Sequence, residues 1–248
     1  MDTETQNQNA VVRNGTGTQD TPPPSEHRTL IAIPCMDMVP VPFVKSLLNL
    51  RKTGDTAYAF LANSLIYDSR NVFVSNAIEK GYDRILWLDS DMVFEPDLLE
   101  RLSRRLDEGY EYVSALAFKR KLPTGPAIYK RLDYGRDDQG HVHAKATAYT
   151  DYPRDALFEV AATGCAAVMM RVELLKDVWD RFGLPFLPLP NMGEDLSLCW
   201  RVAQLGRHMW CDSSVKVGHV GQYVFGEDAF VRLNAAILGG ADDGNKQN

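Results

Sequence analysis

The sequence predicts an α/β fold with a mostly parallel central sheet, flanking helices and a small antiparallel sheet. Two observations predict it. A unit of helix, glycine, one or two polar residues and apolar strand occurs three times, as "IEKGYDRILWLD", "LDEGYEYVSALAF" and "VAQLGRHMWCD". This is the grammar of βα units whose crossover helices cover a parallel sheet. The stretch from Lys119 to Gly164 instead combines many turn residues with short alternating runs, the pattern of small antiparallel strands.

The elements follow in order. Residues 1–28 are polar and rich in Thr, Gln, Asn and Pro, and are expected to form a disordered tail. "TLIAIP" is a buried strand stopped by Pro34, and "VPFVKSLLNLRKTG" a helix with Phe43, Leu47 and Leu48 on one face. "DTAYAFLAN" is the second strand. "DSRNVFVSNAIEKG" is a helix capped by Asp68 or Ser69 and ended by Gly81. "DRILWLDSD" is the third strand. "EPDLLERLSRRLDEG" is a helix with Pro96 in its first turn, and "YEYVSALAF" is the fourth strand. After the antiparallel stretch come the strand "AAVMM", the helix "RVELLKDVWDRFG" and a proline-rich connection expected to be mobile, "LPFLPLPNMG". The helix "EDLSLCWRVAQLG" spaces Leu196, Cys199, Trp200 and Ala203 along one face. A strand pair, "HMWCD" and "VKVGHVG", closes a domain set at 29–235, with 236–248 expected to be a flexible tail.

Composition narrows the function. With 248 residues, 45% of them hydrophobic, the chain is long enough for one substantial core. A net charge of −6 gives no overall basic balance to invite nucleic acid, so phosphates would be handled by a local site or a metal. No apolar run approaches the ~20 residues of a membrane span, and the N-terminal region lacks a secretory apolar segment. Cys35, Cys165, Cys199 and Cys211 are scattered with no CxxC, as expected of reduced core residues in a cytoplasmic protein.

The residues that carry chemistry begin with Asp89 and Asp91. They end the run "RILWL", and residues two apart on a strand share a face. Two like charges there repel, and a hard divalent cation with oxygen ligands is the natural neutraliser. Glu194 and Asp195 start a helix behind a glycine, where acids suit the dipole and where a carboxylate facing a cleft can act as general base. His219, between Gly218 and Gly221, offers an imidazole ligand. Arg70 and the run Lys119, Arg120, Lys121 set cations near the strand ends, where phosphate oxygens could sit. Cys165 has no nearby histidine to activate it, and His27, His141 and His143 read as tail or solvated residues.

Taken in order, "DSRN", "LDSD", "ATGCAAVMMR", "GED" at a helix start and a late "GH" resemble the GT-A fold of nucleotide-sugar glycosyltransferases, the family 2-like group of bacteria and phages. The resemblance spans roughly residues 29–225. It implies a nucleoside-diphosphate sugar as donor and Mn2+ or Mg2+ as cofactor. Asp91 and His219 would hold the metal, and Asp89 would contact the ribose or the metal through water. Arg70 would approach the nucleotide or diphosphate, and Gly164 would leave room beside the sugar. Glu194 and Asp195 would face sugar and acceptor, Asp195 as base if the reaction inverts. The loop "PCMDMVP" departs from the family's Thr/Asn-rich loop and offers Asp37 as base contact. Lys119 is the further cation expected near the phosphates.

The acceptor is a hydroxyl of open class: a saccharide, a lipid-linked sugar or phage nucleic acid. Three alternatives stand beside this reading. "LDSDMV" also fits a haloacid-dehalogenase-type phosphatase, although that family carries its motif on the first strand. A nucleotidyltransferase would want a glycine-rich basic loop that "PCMDMVPVPF" is not. A non-catalytic nucleotide- or sugar-binding module would use the same pocket.

Overall fold

The structure, a computed structural model, describes residues 27–221 and 224–239. Its first half contains β1 (Arg28–Cys35), α1 (Val41–Asn49), β2 (Asp55–Ala62), α2 (Ile66–Glu79), β3 (Arg84–Leu88), β4 (Met92–Phe94), α3 (Leu98–Asp107) and β5 (Tyr112–Leu116). The middle holds β6 (Ile128–Arg136), β7 (Val142–Ala148), β8 (Leu157–Val160) and β9 (Ala162–Thr163). The remainder is β10 (Ala167–Arg171), α4 (Val172–Phe182), α5 (Glu194–Gln204), β11 (Met209–Val220), β12 (Val224–Phe225) and α6 (Glu227–Gly239).

The large sheet has the order β12-β11-β5-β10-β3-β1-β2, with β4 and β8 also pairing to β11. β2, β1, β3, β5 and β11 run one way. β10 lies antiparallel between β3 and β5. The second sheet is the antiparallel β7-β6-β9, as the alternating middle region predicts.

Both faces of the large sheet are covered, which is why its strands do not alternate in sequence. Ile85 and Trp87 of β3 pack on one side with α2, α4 and α5. Leu86 and Leu88 pack on the other with Phe43 of α1 and Leu98, Leu99, Leu102 and Leu106 of α3. Gly81, at φ 64°, ends the turn after α2 in a conformation that favours glycine.

Several expectations are corrected. β1 runs through Pro34 to Cys35, because its ladder with β3 has ended at Ala32 and needs no amide donor from the proline on that side. Helix α2 begins at Ile66, so Asp68 sits in its first turn and is no cap. Leu48 is 80% exposed, and α1 buries Phe43 instead. On α5 the buried set is Ser197, Leu198, Cys199, Arg201 and Val202, and Ala203 faces water. The "strand pair" at the end is one strand, β11, with a register shift between Asp212 and Lys216. The domain starts at Arg28, and α6 runs on through residues 236–239, where a tail was expected. The rest of both expected tails, 1–26 and 240–248, lies outside the described residues.

Candidate active site

A cleft of about 740 Å3 opens beyond the carboxyl ends of β1 and β3, where ligands of open α/β sheets bind. Asp89, Asp91, Arg70, Arg120, Glu194 and His219 line it, and Met36, Met38, Leu65 and Ile66 form its apolar lip.

Asp89 and Asp91 are not the last residues of a strand. The chain leaves β3 at Leu88 and turns, with the Met92 amide donating to the Asp89 carbonyl (3.3 Å), before β4 begins. The two carboxylates therefore face different partners. Asp89 Oδ1 accepts from Arg70 Nη2 at 2.8 Å. Asp91 Oδ2 lies 3.2 Å from His219 Nε2 and accepts from Arg120 Nη1 at 2.7 Å.

The short strand β4 explains how Asp91 meets a residue 128 positions away. β4 pairs antiparallel with β11, placing Met92 opposite His219, and the Val220 amide donates to the Asp91 carbonyl (2.8 Å). Burial alone would raise the Asp91 carboxyl, but His219 and Arg120 outweigh it and hold it below its ordinary value. Burial likewise works against a charged His219, and Asp91 outweighs it, so the imidazole is raised.

His219 Nδ1 lies 3.1 Å from the Phe118 carbonyl. A carbonyl only accepts, so Nδ1 carries a proton; Nε2 then donates to the Asp91 carboxylate when the ring is charged and turns a lone pair toward it when the ring is neutral. In the neutral state the two acceptors, 3.2 Å apart, call for a cation beside them: the Arg120 guanidinium or a metal ion. The donor set, one carboxylate oxygen and one imidazole nitrogen oriented from behind by a carbonyl, suits Mn2+ or Mg2+ with further oxygens from a ligand or water. Asp89, expected as a third metal contact, is engaged by Arg70. Among the described residues no group of three or more His, Cys, Asp and Glu side chains is placed to hold a metal.

Arg70 is the best-buried charge in the cleft wall, 2% exposed. Its guanidinium rests against the rings of Trp87 (5.6 Å) and Phe186 (5.7 Å), and Glu194 Oε1 lies 3.7 Å from Nε. Its Nε and Nη1 have no hydrogen-bond partner. Burial opposes the charge, yet Asp89, Cys165 and Glu194 more than compensate, so it stays protonated. A buried cation with unused donors is prepared for an anion.

Asp195 stands next to Gly164 and outside the cleft lining. A Cβ at Gly164 would sit 3.6 Å from Asp195 Oδ2, and the Gly164 amide donates to the Ala127 carbonyl (2.8 Å). Burial, reinforced by Glu194, pushes the Asp195 carboxyl up to about 6, despite the Leu196 amide donated to Oδ1 at 2.7 Å. Such a value suits proton transfer near neutral pH. Cys165 is buried, its thiol pushed well above the ordinary range, which is inert chemistry.

Besides Asp195 and Gly164, two further expected residues, Asp37 and Lys119, are not in the cleft lining. Asp37 is exposed, and its neighbours Met36 and Met38 line the lip. Lys119 lays its ammonium over the Tyr129 ring at 4.8 Å, and Arg120 is the cation of that run that reaches the cleft. Sequence reasoning missed Phe118, Trp87 and Phe186 as supports. Phe118 and Trp87 sit in apolar strand stretches, where nothing in the sequence distinguishes a supporting residue from ordinary core.

No family model matches the chain, and no curated protein matches its sequence. Among solved structures it is similar to the crystal structure of A197 from STIV, with a TM-score of 0.55 and 20% identity, over 78% of this chain and 86% of that one. The shared architecture is a mixed α/β fold, a large mostly parallel sheet with a small separate antiparallel sheet and flanking helices, consistent with a GT-A-like fold. At that identity the likeness carries the architecture and leaves the chemistry to the site. No described helix is long and apolar enough to cross a membrane.

Proposed function

We propose that the protein is a divalent-metal-dependent, inverting glycosyltransferase that moves a sugar from a nucleoside diphosphate to a hydroxyl acceptor. The observation that carries this reading is the Asp91–His219 contact, a carboxylate oxygen 3.2 Å from an imidazole nitrogen at the cleft, with the Arg70 cation buried in the same wall. Asp91 and His219 would hold Mn2+ or Mg2+, which when bound supplies positive charge against a departing diphosphate.

The chain's own residues do the rest. Arg70 sets a buried positive charge behind Asp89, toward which phosphate oxygens in the cleft would be drawn. Arg120 is half-exposed on a loop and is free to exchange the Asp91 carboxylate for phosphate. Asp195 takes the proton from the acceptor hydroxyl as its oxygen bonds to the anomeric carbon. The bond from that carbon to the phosphate oxygen breaks, and its electron pair leaves on the nucleoside diphosphate. Gly164 keeps the space beside Asp195 open for the sugar.

The test is thermal-shift screening of UDP, GDP, CDP and dTDP with and without manganese. One nucleotide at 100 times its dissociation constant should stabilise by about 2.7 kcal/mol. The gain should need the metal and vanish in Asp91→Asn and His219→Ala. Indifference to all four nucleotides with manganese present refutes the reading. Hydrolysis of the matching nucleotide sugar separates an enzyme from a binding module.

A further inference from the structure

A second groove of about 430 Å3 lies between the β6–β7 hairpin, β8 and the far half of α5. Nothing in the reaction above uses it. Tyr134 and Trp200 meet there edge to face, ring centres 5.4 Å apart, and Gly135, Ala161 and Ala203 give it a smooth floor.

Its charged side chains are engaged with one another or with neighbours. Glu159 lies 2.7 Å from His208, and Asp133 is paired with Arg131 (2.7 Å). Arg207 is shared between Glu111 and Asp177 (3.0 and 3.1 Å). Among the described residues, the lining groups that make no side-chain hydrogen bond are the Tyr134 hydroxyl, Trp200 indole N–H, Gln204 amide and His143 ring. Aromatic faces beside free hydrogen-bonding groups, with the charged side chains already engaged, fit an uncharged polyhydroxylated ligand. A nucleic acid or acidic peptide would want free cations.

The groove is built on the same two elements that reach the catalytic neighbourhood. β6 starts at Ile128, paired with Thr163 beside Gly164, and reaches Tyr134 six residues on, about 20 Å. Along α5, Gln204 lies nine residues beyond Asp195, about 14 Å.

We infer that this groove is a saccharide subsite, and that the acceptor is a neutral glycan whose chain it holds while the terminal hydroxyl lies near Asp195. The acceptor role rests on the function proposed above, whereas saccharide binding does not. The experiment is titration calorimetry of the full chain with maltohexaose, cellohexaose and chitohexaose.

At least one should bind with a millimolar or tighter constant and lose about fivefold or more in Trp200→Ala and in Gln204→Ala. Gln204 is exposed, so its variant keeps the fold even if Trp200→Ala does not. Binding should persist in Asp91→Asn. No binding by any of the three, or binding indifferent to Gln204→Ala, overturns the subsite. Saccharide binding without any nucleotide response keeps the subsite and refutes the glycosyltransferase reading instead.

Discussion

Replacing Asp195 with asparagine should make the protein more stable and less active. Burial holds the carboxyl at about 6 against an ordinary 3.8. Between those values the folded chain keeps a proton that the unfolded chain releases. Stability therefore falls as pH rises through this window, and above it the folded state carries the whole cost. At about 1.4 kcal/mol per factor of ten, the cost is about 3 kcal/mol at neutral pH. Asparagine keeps an oxygen to accept the Leu196 amide and removes the charge.

The gain should approach about 3 kcal/mol at pH 7.5 and shrink below about 1 kcal/mol at pH 4, where the unfolded aspartate is close to half protonated. For a chain of this size that is roughly a 6–12 °C rise in melting temperature at pH 7.5. Urea denaturation at the two pH values measures it. In wild type, sugar transfer should rise with pH through about 6 and then level off, and in Asp195→Asn it should fall at least about a hundredfold. An Asp195→Asn protein no more stable at pH 7.5 than wild type would refute the argument that this carboxylate is kept at a cost because the reaction needs it.

Further outcomes follow from the same geometry. Asp91→Asn should cost about a thousandfold in metal-dependent turnover, since a unit-charge contact near 4 Å at an effective dielectric of 20 is worth about 4 kcal/mol, and His219→Ala, which removes a neutral ligand, should cost less; steady-state rates at saturating manganese check this. Arg70→Met fills the same aromatic bed without the two unpartnered nitrogens, so stability should change by less than about 2 kcal/mol while nucleotide-dependent stabilisation disappears; a much larger loss of stability would mark Arg70 as purely structural. Gly164→Ala meets only ordinary contacts at 3.6 Å and should fold normally in a melting assay, yet transfer sugar more slowly, because the methyl group lies beside Asp195 Oδ2. Iodoacetamide at pH 8 should label Cys35 quickly and spare Cys165, Cys199 and Cys211, which are buried with raised thiols; peptide mapping reads the order.

The sequence by itself determined the local grammar: helices ended by Gly81 or Gly109, apolar strands that must be covered on both sides, and acids placed where a parallel strand runs out. These are short-range properties, set by periodicity and backbone preference, so neighbouring residues suffice to read them. Tertiary structure decided which carboxylate meets which cation. Strand alternation pointed to Asp89 and Asp91 sharing one partner, but the turn after Leu88 sends the first to Arg70 and the second to His219 and Arg120. The pairing of Asp91 with His219 depends on the three-residue strand β4 docking on β11, a register fixed by contacts over a hundred residues apart. In the same way the spacing on α5 promised a buried Trp200–Ala203 face, and the packing of α4 and the β6 hairpin left part of it open as a groove. Side-chain partners across such distances are set by how whole elements stack, and no local pattern encodes that stacking.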